Sequence, residues 1–447
     1  MSLTAEKIST TQQLISNFEK NKKLLVGNKY VQDIREQAIA AFAKQGIPNR
    51  KSEEYKYSNP ERILADVSKI SETKEVNLTK SIITKFQISA VDANIIVLIN
   101  GIFKEDINSI SKLPAGVIIC SLKTAFEKYK DLIEHHYSKY ANVNADPFTA
   151  LNTAFANEGL VLVVPDNTVI EKPFHIINII SSGNSGYIYQ RNLFVFGKNT
   201  EVKVIESNHS LDLNEVTFVN KLSEIVISEN SKVLFYSLQD YTSPSPLGKA
   251  GMGLLNTTQA HLEKNTHFDT NTITLNGHWV RNNLNIVLNG SNCETHLNGL
   301  FITDGDQHID NHTLVDHTVP HCQSNQLYKG ILNGKSTGIF NGKIFVRRDA
   351  QKTNAYQSSK NILLSDTATI NTKPQLEIYA DDVKCSHGSS TGQIDPDAMF
   401  YLKARGIGEE NAKKLLMLAF AGDVVNTLQI EPLREYISDL IAKRLES

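Results

Sequence analysis

Apolar residues near the start of the chain recur at mixed spacings of three and four over Ala5–Lys20 and Val31–Lys44, with charged residues between them. This spacing places the apolar side chains on one face of a helix. Gly46, Ile47 and Pro48 end the second segment, because proline disfavours helical backbone in the residue before it. The pattern predicts a helical N-terminal region over residues 1–90.

From about residue 91 the pattern changes to short β-favouring runs separated by turn residues, apart from a helical insertion predicted near residues 122–156. In one run Leu284, Ile286 and Leu288 alternate with other residues, as in a strand with one face in the core. Many short strands with regular turns are typical of a sandwich, a barrel or a β-solenoid. We favour a solenoid over residues 91–394, because no linker divides a region with so many runs, namely Val202–Ile205, Val233–Leu238, Thr272–Leu275, Leu284–Leu288, Leu300–Thr303 and Ile339–Val346.

The last part of the chain returns to a helical pattern. Asp395 is a predicted N-cap and Pro396 occupies the first helical position of a segment that Gly406 ends. Two further helices are predicted, Glu409–Ala421 and a last one from Glu431 to about Leu445. We therefore expect a mainly β core flanked by a helical C-terminal domain over residues 395–447.

The amino-acid composition argues against several classes of protein. The 447 residues contain 46 Lys and Arg against 48 Asp and Glu, and this balance argues against a protein that coats nucleic acid. No apolar run approaches the roughly 20 residues that a membrane helix needs, and the N-terminus has no secretory pattern. Four scattered cysteines fit a reducing compartment, so a cytoplasmic protein is expected, with the thiols at Cys120, Cys293, Cys322 and Cys385.

Two glycine-containing segments resemble phosphate-binding motifs. Gly330–Ser336 is one residue too short between its glycines for a P-loop and lies among predicted strands, so we interpret it as a strand corner. Gly406-Ile407-Gly408 resembles a helix-hairpin-helix of DNA-binding proteins. The negative balance of the C-terminal region favours a plain helix–helix turn instead.

Histidines and a cysteine cluster over His308–Cys322, and imidazole and thiolate are good ligands for zinc or iron. On one continuous strand, however, His308 and His312 would share one face while His317 and His321 would share the other. The same counting applied to Cys385 and His387 places both side chains on one face. This pair is the better candidate for binding iron or carrying sulfur, whereas buried structural side chains remain the alternative.

Asp381 and Asp382 precede this pair and suggest a rival function, a β-solenoid enzyme that acts on polysaccharide. Glycan hydrolysis uses two carboxyl groups. Adjacent carboxylates on a strand point to opposite faces, which is poor geometry for that chemistry. The predicted cytoplasmic location also argues against it.

The segment from Tyr379 to Gly388 resembles the SufB/SufD family of iron–sulfur cluster assembly scaffolds. The resemblance covers most of the chain and is closest over residues 296–425. Tyr55 stands where the family commonly has tryptophan. The Lys384–Gly388 version is most like the SufD branch, and no Cys-x-x-C occurs in the chain. Further matching stretches are Arg50–Tyr57, Asp316–Cys322, Leu327–Gly330, Phe340–Ile344 and Tyr401–Ile407.

The resemblance implies a right-handed parallel β-helix with helical flanks and a scaffold role without catalysis. It implies pairing with SufB and binding of the ABC-type ATPase SufC, which would hydrolyse ATP. Pairing of β-helix edges would give a homodimer when the chain is alone. His387 matches the SufD histidine at the SufB–SufD interface, so transient iron or an iron–sulfur cluster is expected there, with Cys385 as the weaker ligand. Neither a stably bound cofactor nor a nucleic-acid or membrane partner is expected, and the predicted ATPase contact is the turn Ala404, Arg405, Gly406, Ile407 and Gly408.

Overall fold

The structure is a computed structural model that describes residues 9–67, 76, 78–181, 186–211, 216–241 and 252–446. Helices flank the strands at both ends and also interrupt them early in the chain. They are α1 (Thr10–Asn21), α2 (Lys29–Gln45), α3 (Pro60–Asp66), α4 (Lys80–Thr84), α5 (Leu122–Lys128), α6 (Lys130–His136), α7 (Pro147–Phe155), α8 (Pro396–Ala404), α9 (Glu409–Val425) and α10 (Glu431–Arg444).

Nineteen strands within the described ranges form two facing sheets, and from β4 onward the chain alternates between them. The first strands are β1 (Asn94–Ile99), β2 (Ile102–Phe103), β3 (Ile118–Ser121) and β4 (Leu160–Val164). The others are β5 (Phe174–Ser181), β6 (Gly186–Phe196), β7 (Glu201–Leu211), β8 (Thr217–Ile227), β9 (Lys232–Asp240), β10 (Met252–Leu262), β11 (His267–Asn276), β12 (Trp279–Leu288), β13 (Glu294–Thr303), β14 (His308–His317), β15 (Gln323–Leu332), β16 (Thr337–Val346), β17 (Asn354–Leu363), β18 (Thr369–Ile378) and β19 (Lys384–Gly392).

From β4 onward each strand pairs in parallel with the strand two positions later, so every coil stacks on the one before it. Sheet 1 has the order β19-β17-β15-β13-β11-β9-β7-β5-β1-β2, and sheet 2 has the order β18-β16-β14-β12-β10-β8-β6-β4-β3. Among the strands of the described residues, only the pairs β1–β2 and β3–β4 are antiparallel. The prediction of a mainly β parallel β-helix with helical regions at both ends is confirmed.

An asparagine ladder forms one corner of the coils. Asn167, Asn199, Asn230, Asn265 and Asn292 all have φ between 56° and 60°, a left-handed conformation that asparagine tolerates better than most residues. The side-chain amide of each of the last four donates to the amide oxygen of the asparagine one coil earlier, at 2.8–3.1 Å. Every asparagine is followed by Thr, Ser or Cys, and the intervals are 32, 31, 35 and 27 residues. The sequence thus holds an internal repeat that our pattern analysis missed.

Helices pack on the outer face of each sheet. On sheet 2, α7 is held by Asn152, whose side-chain amide donates to the carbonyl oxygens of Gln190 at 3.0 Å and Asn220 at 2.9 Å. On sheet 1, α9 and α10 bury Met417, Val424 and other apolar side chains against the strands. In the described part of the chain, no helix has the length and apolar character needed to cross a bilayer.

Candidate functional site

The last coil leaves an unpaired strand edge on each sheet. β19 is the terminal strand of sheet 1 and β18 is the terminal strand of sheet 2. Almost all residues of β19 are exposed. An edge strand presents unpaired N–H and C=O groups that can pair with another chain. At this end of the β-helix, both sheets therefore have an edge that can pair with a strand of another chain.

Cys385 and His387 lie on the interior-facing side of β19. Cys385 stacks on Ala355 of β17, and His387 stacks on Gln357. Ala355 and Gln357 are both buried within the preceding coil. The two candidate ligands therefore share one face, as their spacing predicts, and they lie at the mouth of the β-helix interior. Cys385 is half-buried and His387 is exposed.

A polar column lies directly below His387. The amide nitrogen of Gln357 donates to the amide oxygen of Gln326 at 3.2 Å, and that oxygen also accepts from Thr313 Oγ1 at 2.7 Å. Gly342 leaves room for this side chain, because a Cβ there would come within 2.2 Å of Gln357 Nε2. Gln357 Oε1 is buried and has no hydrogen-bond partner among the described groups. This acceptor is the nearest buried polar feature to the site that sequence spacing could not reveal.

The Cys385 thiol and the carboxyl groups of Asp381 and Asp382 lie in different electrostatic surroundings. Burial raises the pKa of Cys385, although a backbone hydrogen bond at Ala355 partly offsets it, so the side chain is a neutral thiol near pH 7. Asp382 forms an ion pair with Lys352 at the corner before β19. Asp381 and Asp382 thus lie outside the strand, in the corner before β19. Nothing in this arrangement favours the polysaccharide-cleaving alternative.

Metal binding at this end needs donors beyond this chain. Across the described ranges, no group of three or more His, Cys, Asp or Glu ligand atoms includes Cys385 or His387. Iron and zinc sites in proteins use more than two protein or solvent donors. If Cys385 and His387 bind a metal, the remaining ligands have to come from water or another chain.

The other motifs take the structural roles that we expected. Gly330–Ser336 spans the end of β15 and the corner before β16, and no helix follows it. Gly406 has φ +84° and joins α8 to α9 as a helix–helix turn. The clustered histidines are divided: His317 is buried with Nε2 2.9 Å from Ser324 Oγ, whereas His321 lies at a corner outside the strand with φ +64°.

The Arg50–Tyr57 segment docks on the outer face of sheet 2. Tyr55 is buried, and its hydroxyl donates to Asp146 Oδ1 at 2.7 Å, the residue that caps α7. Glu54 lies 3.3 Å from His312, and Glu53 pairs with Lys373. The resemblance identified this segment, but only the structure shows that it fastens the N-terminal region to the β-helix wall.

Exposed apolar side chains mark the α8–α9 hairpin. α8 has no buried residue, and Phe400 is 74% exposed, Tyr401 58% and Leu415 47%. Leu418 and Phe420, one turn further along α9, pack against sheet 1. The structure thus separates tail residues that serve the fold from residues that remain on the surface, a division that the sequence could not provide. Exposed apolar patches of this kind are typical of interaction sites.

Comparison with known proteins agrees with these features. A model of the SUF system FeS cluster assembly SufBD core domain matches residues 178–420, and one of the SufBD protein N-terminal region matches residues 8–176. An iron–sulfur cluster assembly SufBD family protein of Synechocystis is 28% identical over 92% of this chain and 90% of its own length. The iron–sulfur cluster assembly protein SufD of Escherichia coli is 30% identical over 68% of this chain and 70% of its own, and SufD of Bacillus subtilis is 26% identical over 74% of each. The chain belongs to the SufBD family of iron–sulfur cluster assembly proteins.

Proposed function

We propose that the chain is a SufD-like, non-catalytic scaffold subunit that pairs with a SufB-type subunit through its last coil. The observation that carries this proposal is the coincidence of two free sheet edges with Cys385 and His387 at one end of the β-helix. A partner with a similar open coil would extend both sheets at once. Pairing of this kind gives affinity through main-chain hydrogen bonds.

The register of β19 shows which groups would make those bonds. The N–H of Lys384 donates to the carbonyl oxygen of Thr353 at 2.9 Å, so this residue faces β17. Backbone groups of successive residues in a parallel strand point to alternate sides. The N–H groups of Cys385, His387 and Ser389 therefore face the free edge. A second copy of this chain would meet the same edge, so we propose a homodimer when the chain is alone.

Transient iron or a nascent cluster is the proposed cargo of the interface. A neutral imidazole at His387 is a good iron ligand, and the partner would supply the donors that this chain lacks. The thiol of Cys385 would bind only after losing its proton, which makes it the weaker ligand. The metal is handed on as cargo and is not a resident cofactor.

The α8–α9 hairpin is the proposed contact for the ABC-type ATPase SufC. Its turn, Ala404–Gly408, is exposed except for Ile407, which is half-buried. Phe400 and Leu415 flank the turn with apolar surface. ATP hydrolysis would take place in the ATPase, and the helices would transmit its movement to the β-helix through the packing of α9 on sheet 1.

The test is affinity purification of the tagged full chain from its own cells, under anaerobic and low-salt conditions, with mass spectrometry of the proteins that elute. Wild type is compared with Ser389→Pro, which removes an outward N–H, and with Ser389→Ala, which loses the same hydroxyl but keeps the N–H. We expect wild type and Ser389→Ala to retain a SufB-type subunit and the ATPase in stoichiometric amounts. Ser389→Pro should lose the SufB-type subunit and keep the ATPase.

Recovery of the wild-type chain repeatedly alone would overturn the scaffold proposal. Equal recovery of the SufB-type subunit with Ser389→Pro would move the interface away from β19. Thermal melts of all three proteins show whether the proline has instead unfolded the last coil.

A further inference from the structure

Four ligand-type side chains meet on the outer face of sheet 1, several coils away from β19. His267 and Asp269 are two residues apart on β11, and Glu294 and His296 are two residues apart on β13. The strands pair in parallel, with His267 opposite Glu294 and Asp269 opposite His296. Two i,i+2 pairs on adjacent coils thus form a square of two imidazoles and two carboxylates.

The donor atoms of this square converge on one point. His267 Nε2 lies 2.9 Å from Asp269 Oδ1, and His296 Nδ1 lies 2.7 Å from the same oxygen. The other ring nitrogens lie 3.7 Å and 3.6 Å from the carboxylate of Glu294. One ligand atom from each of His267, Asp269 and His296 falls within 4.8 Å of the others. Two ligand atoms about 2 Å from a common ion lie about 3 Å apart in a tetrahedral site, close to the 2.9 Å and 2.7 Å separations from Asp269 Oδ1.

Asp269 is oriented by a residue of the C-terminal region. Gln429, in the link between α9 and α10, donates from Nε2 to Asp269 Oδ2 at 2.6 Å, and its backbone N–H donates to the Tyr236 hydroxyl at 3.1 Å. This arrangement occupies one carboxylate oxygen and leaves Oδ1 directed at the two histidines. Metal-binding carboxylates are typically held in this way by an outer hydrogen bond.

The charge of the square suits a cation. Asp269 and Glu294 supply two carboxylates, whose negative charge can offset that of a divalent ion. The side chains of His267, His296 and Glu294 are 28%, 33% and 45% exposed, so an ion has a path from solvent.

We propose that His267, Asp269, Glu294 and His296 form a second metal site, for a divalent first-row transition metal such as Fe²⁺ or Zn²⁺. Two imidazoles with a carboxylate match the preferences of these ions, whereas Mg²⁺ and Ca²⁺ prefer oxygen ligands alone. The bound ion joins two coils to the α9–α10 link through Asp269 and Gln429.

The test uses the untagged full chain, freed of metal with a chelator, and Co²⁺ as a coloured probe. Visible absorption follows Co²⁺ titration, and Zn²⁺ competition is measured by calorimetry. The variants are His296→Gln and Glu294→Gln, and the control is His278→Gln, which removes another part-exposed histidine near a carboxylate, Asp306. Melting temperatures in chelator confirm that each variant is folded.

We expect one Co²⁺ per wild-type chain, displaced by Zn²⁺, with affinity about 10- to 100-fold weaker for His296→Gln and unchanged for His278→Gln. Metal should also slow hydrogen exchange in the α9–α10 link of wild type. Absence of saturable Co²⁺ and Zn²⁺ binding, or equal affinity for His296→Gln and His278→Gln, would overturn the proposal and leave a hydrogen-bonded network. The measurement needs no partner subunit, so its failure is distinct from failure of the scaffold proposal.

Discussion

The guanidinium carbon of Arg281 lies 4.0 Å from the centre of the Tyr55 ring. The same guanidinium donates to the carbonyl oxygen of Glu54 at 2.8 Å and to Asp310 Oδ2 at 2.7 Å. Arg281 and Asp310 are both buried in the β-helix wall. One arginine, placed by β12, therefore holds the backbone and an aromatic ring of the N-terminal segment against sheet 2.

Tyr55→Phe should keep the ring stacking but lose the hydrogen bond to Asp146, at a cost of about 1 kcal/mol in the free energy of unfolding. Arg281→Ala should cost more, about 3 kcal/mol, because the buried Asp310 carboxylate loses its arginine partner and keeps only Ser58 and His312. Urea denaturation followed by circular dichroism measures both. Tyr57→Phe is the control, since Tyr57 is exposed, and an equal loss for Tyr57→Phe and Tyr55→Phe would contradict the assigned role of the hydroxyl.

The fold class was predictable from sequence because turn residues and short β-favouring runs recur through the core. Many individual strands were not, since the interior is partly polar. β8 is buried along its whole length yet contains Lys221, whose Nζ lies 2.6 Å from Glu206 on β7. A charge on one sheet is balanced by a charge on the facing sheet. Patterns within a single strand cannot show such a pairing.

Asn230 shows how the missed repeat can be tested. Asn230→Ala should lose the ladder hydrogen bonds and force alanine into a left-handed backbone, which costs roughly 1–2 kcal/mol for the conformation alone. Asn230→Gly loses the same bonds without that backbone penalty. Denaturation should give Asn230→Ala a lower free energy of unfolding than Asn230→Gly. Equal values would contradict the importance of backbone conformation at this corner.

Buried histidines predict a loss of stability in mild acid. Burial lowers the pKa of His317 to about 4 and that of His209 to about 4, below the ordinary histidine value. At pH values between about 4 and 6.5, the unfolded chain binds more protons than the folded chain. The free energy of unfolding therefore falls as the pH drops from about 6.5 toward 4. Each group should contribute about 2 kcal/mol of that loss near pH 5. His317→Gln should reduce the slope of unfolding free energy against pH between pH 5 and 7.

A control for this effect is His135→Gln, which changes an exposed histidine on α6. It should leave the slope unchanged. Should His317→Gln and the wild type show the same slope, the imidazole would be titrating in the folded chain with an ordinary pKa.

The exposed patch on the α8–α9 hairpin gives a sharper test than removal of residues 395–447. Deletion would uncover apolar side chains of sheet 1 that α9 and α10 cover, so it would perturb the β-helix itself. Phe400→Ser and Leu415→Ser change exposed positions and should shift unfolding free energy by no more than about 0.5 kcal/mol. Both should weaken ATPase retention in the purification, whereas Leu418→Ser, which faces sheet 1, should lower stability. Full retention with Phe400→Ser and Leu415→Ser together would relocate the ATPase contact.

Only part of the candidate site could be predicted from the sequence. Two-residue spacing placed Cys385 and His387 on one face, because alternation is a property of a single strand. Their neighbour Gln357 lies 30 residues before His387. The contact between Gln357 and His387 depends on the register of the coils, and that register depends on the length of every corner.

His387→Ala should reduce iron binding or cluster formation in the complex recovered with its partners, and leave the melting temperature of the chain unchanged. The side chain is exposed and forms no core packing, so its removal costs little folding energy. Cluster content is measured by anaerobic reconstitution with iron and sulfide, using visible absorption and iron analysis. Cys385→Ser should have a smaller effect, because its thiol is neutral near pH 7 in the isolated chain.

Two controls separate a ligand role from a general disturbance of the edge. His135→Ala removes an exposed histidine on α6 and should assemble clusters as wild type does. Ser389→Ala changes the same strand face without removing a metal donor, so it should also be normal. A wild-type cluster yield with His387→Ala would contradict the assignment of His387 as a ligand. A larger loss with Cys385→Ser than with His387→Ala would instead show that pairing with the partner lowers the pKa of the Cys385 thiol enough to make it the principal ligand.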